Sequence, residues 1–195
     1  MTRPRVSALL LAGAIALTGC TSLSGTGDKG FVSGDGQLTV RTASEREQPI
    51  SLEGDDLEGK PLDLADFRGQ PVVVVVWGDW CGPCRAEAPD VVAAAEELEG
   101  EAEFVGLNIR DQSVENAQAF VRTFDIPYRS FYSPDGKALL PFSGALTPRS
   151  IPGFAILDAE GRIAASINGY LPSTQTLVDV TRDVADEPAE ESADG

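Results

Sequence analysis

Cys81 and Cys84 are two of only three cysteines in the chain, three residues apart in Trp80-Cys81-Gly82-Pro83-Cys84. Thiols at that spacing can approach closely enough to close a disulfide, and a disulfide that reopens exchanges electrons with other disulfides. The thiolate is the attacking form. The segment after Cys81 favours it: the residues from Gly82 read as a helix, and a helix's first turn carries unpaired N–H groups and the positive end of the macrodipole. Pro83 suits that turn, because its missing donor costs nothing there.

Acidity alone explains little. A free thiol of pKa ~8.5 is about 3% ionised at neutral pH, and a fall to about 7 raises the thiolate roughly 16-fold. The same fall lowers nucleophilicity roughly 5-fold, so the net gain is about 3-fold. An efficient exchanger therefore needs a good leaving group, a docking groove and a second thiol at high effective concentration. Cys84 supplies the last. Other chemistries fit less well. Zinc wants about four N or S ligands, and the chain has no histidine and no second cysteine pair. Covalent haem attachment needs a histidine after the second cysteine, where Arg85 stands. A purely structural disulfide closing so small a loop would remove little entropy from the unfolded chain.

The elements around the pair alternate. Val72–Trp77 is an unbroken, β-branched apolar run, the pattern of a strand buried on both faces. A helix is predicted from about Gly82 to Leu98, with Cys84, Ala88, Val91, Val92, Ala95 and Leu98 on one face and a kink at Pro89. Leu38–Arg41, Pro49–Leu52, Pro61–Leu64, Glu103–Asn108 and Tyr128–Tyr132 read as strands. Asp55–Gly59 reads as a turn, with a helical turn near Ala65–Phe67. Ser113 caps a helix to about Phe124, with Ala117, Phe120, Val121 and Phe124 on one side. Gly136–Phe142 is a weak helix, and Ser173–Val184 a final one. Phe154–Leu157 and Ile163–Ile167 flank Asp158-Ala159-Glu160-Gly161, a hairpin signal. This order predicts one α/β domain with a central mixed sheet and helices on both faces, over residues 38–185.

The ends differ from the middle. Arg3 and Arg5 precede an apolar run from Val6 to Leu17, and small residues follow, as in a secretory signal over residues 1–19. Leu17-Thr18-Gly19-Cys20 resembles the lipobox of bacterial lipoproteins. That resemblance implies cleavage before Cys20 and lipid on its sulfur, hence an extracytoplasmic chain anchored to the cell membrane. Residues 20–37 are rich in Gly and Ser and read as a flexible tether, with a reach of roughly 20–25 Å. From Asp183 to the end, six of 13 residues are acidic, and 186–195 reads as a disordered acidic tail. The net charge of −16 becomes −18 when the leader's two arginines are lost. Nucleic-acid phosphates would repel such a chain.

The segments GKPLDLADFRGQPVVVVVWGDWCGPCRAEAP, EFVGLNIRD and SIPGFAILDAEGRI together resemble the thioredoxin superfamily. More narrowly they are similar to its extracytoplasmic, membrane-anchored TlpA/ResA/CcmG group, over roughly residues 45–185. The resemblance implies a thioredoxin-like three-layer α/β sandwich, with N-terminal strands and a central insertion near Arg110–Pro134. It implies thiol–disulfide exchange with no bound cofactor or metal. The partners would be exported proteins with disulfides, apocytochrome c among them, and a transmembrane thiol electron donor. One small soluble domain suggests a monomer.

Carried over residue by residue, Cys81 matches the exposed nucleophile and Cys84 the resolving thiol, with Gly82 and Pro83 between them. Trp80 matches the aromatic beside the site, and also reads as a packing residue. Ile151-Pro152 matches the cis-proline loop that faces the cysteines and pairs with an extended peptide. Glu87, three residues after Cys84, shares its helix face. It matches an acid that handles the proton of the second cysteine, and equally reads as a solvated acid near a helix N-terminus. Val75 stands where cytosolic thioredoxins have a buried Asp, and Gly78-Asp79 adds a negative charge near the site. Two alternatives stay open. A peroxiredoxin-type peroxidase usually has Thr where Gly78 is, and an adaptor lipoprotein would keep the fold without using the thiols.

Overall fold

The computed structural model describes residues 31–32, 37–149 and 151–187. Seven strands form one sheet in the order β1-β2-β9-β8-β5-β6-β7. The strands are β1 (Phe31–Val32), β2 (Leu38–Val40), β5 (Val72–Trp77), β6 (Glu103–Ile109), β7 (Ser130–Ser133), β8 (Gly153–Leu157) and β9 (Ile163–Asn168). A separate hairpin pairs β3 (Glu53–Asp55) with β4 (Pro61–Asp63). β5, β6 and β7 are parallel, and β8, β9, β2 and β1 add successively antiparallel. The sheet is therefore mixed, with β1 and β2 as its N-terminal extension.

The period-2 alternation of β5 divides the core. Val73, Val75 and Trp77 pack with buried residues of α1 (Gly82–Glu97), α2 (Val114–Thr123) and α3 (Thr174–Ala185). Val72, Val74 and Val76 point the other way, into a second cluster covered by the 3-10 helices Leu64–Phe67 and Lys137–Phe142. Helices thus cover both faces, all the α-helices on one and 3-10 turns on the other. All six residues of β5 are buried, as their apolar run predicts.

The structure corrects several expectations. Pro49–Leu52 forms no strand. Ile50 N–H donates to Gly161 O and Leu52 O accepts from Leu64 N–H, so the segment lies extended on the core, and its apolar residues reflect packing. The actual strand, Glu53–Asp55, is wholly exposed and carries no hydrophobic pattern. On α1, Ala94 is fully buried, whereas Val92 and Ala95 are only partly so. Phe31–Val32, inside the segment read as tether, pairs with β2. The expected central insertion near Arg110–Pro134 needs no such correction and is built of α2 and β7. The kink expected at Pro89 falls inside a continuous helix, α1. That ring lies on the exposed side, where loss of one backbone hydrogen bond is tolerated.

Candidate active site

β5 delivers Trp77 to the edge where the parallel strands end, and Gly78–Trp80 turn the chain into α1. Cys81 is the N-cap: its N–H donates to Gly78 O at 3.1 Å, and its Sγ accepts from the Cys84 N–H at 3.2 Å. Pro83 occupies the first turn. The two sulfurs are bonded at 2.03 Å. In this oxidised state Cys81 is 3% and Cys84 5% exposed. The greater exposure implied for Cys81 is thus not seen, because the disulfide and the helix N–H draw its sulfur inward.

Trp80 is 47% exposed, so it rims the site and is no core residue. Its indole N–H donates to Ile109 O at 3.0 Å, and the Arg110 guanidinium sits 4.7 Å over the ring. Arg110 also donates to Pro148 O at 3.0 Å. It thereby links the tryptophan to the loop that leads to Ile151-Pro152. Gly78 is required here: a Cβ would lie 2.4 Å from the Trp80 indole nitrogen and 3.0 Å from Ile109 O.

The Ile151–Pro152 peptide is cis. Pro152 immediately precedes β8, whose Gly153 pairs with Val76, so the proline lies beside the end of β5. Pro152 O accepts from Gly169 N–H at 2.9 Å. Pro152 and Cys84 share a small apolar cavity with Glu87, Phe120 and Tyr128. Its volume is about 20 Å³, room for one water-sized sphere. Val75, at the position of the missing buried acid, is another wall of that cavity.

Glu87 is 9% exposed, which removes the solvated-acid alternative. Its Oε1 accepts from Leu171 N–H at 3.0 Å, while Oε2 is buried without a partner among the described residues. Burial pushes its pKa to about 7, against the lowering pull of the Leu171 N–H and with a further push from Asp90. A carboxyl that titrates near neutrality one helical turn from Cys84 can take up and return a proton.

Sequence reasoning missed Asp111. It is 3% exposed, and it accepts from Asp79 N–H at 2.8 Å and from the Asn108 side-chain amide at 2.7 Å. The available signal was its place just past a parallel strand's carboxyl end, where α/β sites gather. Arg85, next to Cys84, sits 5.8 Å over Phe120 and 5.3 Å over Phe124. Among the described residues no group of three or more His, Cys, Asp or Glu is placed to hold a metal, and no helix is long and apolar enough to cross a membrane. Cys20 lies outside the described residues.

A disulfide at a helix N-terminus, beside a proline loop at the end of a central strand, agrees with the comparisons to known proteins. The Redoxin family model matches residues 42–184. The chain belongs to the Redoxin family. Among curated relatives, the thiol-disulfide oxidoreductase ResA of Bacillus thuringiensis is 28% identical over 117 residues, covering 58% of this chain and 64% of ResA. The thiol:disulfide interchange protein HelX of Rhodobacter capsulatus is 28% identical over 160 residues, covering 76% of this chain and 85% of HelX. The match thus spans a little under two thirds of the length of the ResA relatives. A secreted thiol-disulfide isomerase from Corynebacterium glutamicum superposes with a TM-score of 0.73 at 31% identity, covering 82% of this chain and 100% of that one. A DsbF homologue from Corynebacterium diphtheriae gives 0.71, also at 31% identity, covering 78% and 96%.

Proposed function

We propose that this Redoxin-family chain is an extracytoplasmic thiol:disulfide oxidoreductase. It reduces disulfides of exported proteins, with apocytochrome c a candidate client, while held to the cell membrane by lipid on Cys20. One observation carries the reading: the Cys81–Cys84 disulfide caps α1 with a near-neutral buried carboxyl, Glu87, one turn further on. The names of the ResA and HelX relatives support the reaction class.

The cycle balances in two displacements. In the reduced protein, the Cys81 thiolate attacks one sulfur of a client disulfide. That bond breaks, a Cys81–client bond forms, and the departing client sulfur takes a proton. Cys84 then loses its proton to Glu87 and attacks Cys81 Sγ. The second client sulfur leaves and is protonated, and Cys81–Cys84 is oxidised. The client gains two electrons and two protons, and a transmembrane thiol donor restores the dithiol. Trp80, Gly82, Pro83, Ile151 and Pro152 rim the place where an extended client segment lies, by strand-like pairing to the proline loop. No bound cofactor or metal takes part.

Gly-Pro between the cysteines favours the reducing direction by its likeness to reducing thioredoxins. The same steps run backwards oxidise a dithiol. Disulfide rearrangement, in which a second client thiol attacks the mixed disulfide and releases the Cys81 thiolate with no net oxidation, is the second reading, favoured by the Corynebacterium glutamicum neighbour's name of isomerase. A peroxidase reading is disfavoured by Gly78, where a threonine would collide with Trp80. Insulin reduction with dithiothreitol tests the proposal. Acceleration that Cys81→Ser abolishes is expected. No acceleration, or rapid peroxide consumption instead, overturns it.

A further inference from the structure

The turn from Gly78 to Trp80 aims Cys81 at its partner, yet no side chain of the turn is buried deeply enough to hold it. Asp79 is partly buried and Trp80 exposed. Its anchors come from the neighbouring strand end. Ile109 O takes the indole N–H, and Arg110 covers the ring. Asp111 takes a bond from the backbone of the turn itself, from Asp79 N–H at 2.8 Å.

We propose that Asp111 is a positioning residue for the dithiol: its carboxylate, bound to Asp79 N–H, fixes the turn that presents the Cys81 sulfur. This rests on Cys81 being the attacking thiol. Asp111 is well placed to be rigid. It is 3% exposed, and each carboxylate oxygen has its own donor, the second being the Asn108 amide at 2.7 Å. Asn108 is itself fully buried on β6, paired in register with Trp77 at the end of β5. The chain Asn108–Asp111–Asp79 therefore transmits the position of the central sheet to the residue two before Cys81.

The charges around Asp111 make the arrangement sensitive to protonation. The Asp79 carboxyl lies beside it, and no arginine or lysine pairs with it among the described residues. Arg110, its neighbour in sequence, points its guanidinium to Trp80 and Pro148 O. Burial, then the adjacent Asp79 carboxyl, pushes the Asp111 pKa up to about 6, against the pull of the Asn108 amide and the Asp79 N–H. Above that pH the group is ionised without a cationic partner among the described residues, and it is bound to the residue two before Cys81, a negative charge that disfavours the thiolate. Below it the charge is gone.

The test is the pH dependence of Cys81 alkylation by iodoacetamide in the reduced protein, with insulin reduction alongside and folding checked by circular dichroism. Asp111→Ala leaves Asp79 N–H without its acceptor, and roughly tenfold slower insulin reduction is expected. Asp111→Asn keeps an acceptor for Asp79 N–H, and the unpartnered Asn108 Oδ1 can accept from the new amide. It should recover to within about threefold of wild type, but titrate Cys81 about one pH unit lower and lose the inflection near pH 6. If Asp111→Ala does not fold, the Asn titration carries the test. Active wild type with both variants unchanged in rate and profile overturns the proposal alone. Wild type with an unreactive Cys81 overturns the oxidoreductase reading and this proposal with it.

Discussion

At the scale of single residues, burial decides what Glu87 can do. Its folded pKa of about 7 lies above the ordinary 4.5, so between those values the folded chain binds a proton that the unfolded chain has lost. Stability from this group is therefore complete below about pH 4.5 and falls as pH rises through about 7. Glu87→Gln escapes that fall. Its stability relative to wild type, measured by urea denaturation, should climb between those pH values and level off above them. The same variant should resolve a Cys81 mixed disulfide roughly a hundredfold more slowly at neutral pH, the lower end of what a general base contributes. Gly78→Ala tests the turn. The added carbon would lie 2.4 Å from the Trp80 nitrogen, and a loss of about 1–3 kcal/mol is expected, with altered tryptophan fluorescence. The sequence made Cys81, Cys84, Trp80 and Pro152 legible because their types and order are distinctive. Asp111 was not legible: a lone aspartate after a strand gives no sign of whether it is buried.

At the scale of elements, two ion pairs look alike in sequence and differ in energetics. Arg182 of α3 reaches Glu97 at the end of α1 and Glu101 in the turn after it, at 3.0 and 2.8 Å, but its side chain is 37% exposed. Water screens such a pair, so Arg182→Ala should leave the denaturant midpoint nearly unchanged. Asp56, in the β3–β4 connection, has a side chain 1% exposed, and Arg129 meets it at 2.7 Å. It also accepts from Glu58 N–H and Lys60 N–H, both at 2.9 Å. Burial pushes its pKa up, but the Lys60 N–H, Arg129 and Glu58 N–H bonds outweigh that and hold it below the usual carboxylate range. Arg129 is itself 46% exposed and also donates to Pro61 O, so the larger loss in Asp56→Ala comes from the Glu58 and Lys60 N–H groups left without their acceptor, about 1–3 kcal/mol. Denaturant midpoints of the two variants check the contrast. β5 was readable from its unbroken apolar run, and α2 and α3 from their helical period. Glu53–Asp55 was not, since an exposed two-stranded hairpin has no apolar face to announce it.

At the scale of the whole molecule, the redox site sits at the carboxyl end of the interior strand β5, and one lateral edge of the sheet is β1, beside β2. The proposed anchor lies N-terminal to that edge strand in sequence. Cys20→Ser should move the protein from the membrane fraction to the soluble one and leave insulin reduction by the purified chain unchanged. The topology was readable only in outline: the alternation predicts a mixed sheet, but strand order depends on pairings between distant segments. The most direct measurement is mass spectrometry of the products formed when reduced single-cysteine variants meet a disulfide-bonded client. With Cys84→Ala, the client should accumulate bonded to Cys81. With Cys81→Ala, almost no adduct should form. Equal trapping by both variants, or trapping chiefly at Cys84, would contradict the assignment of Cys81 as the sulfur that attacks.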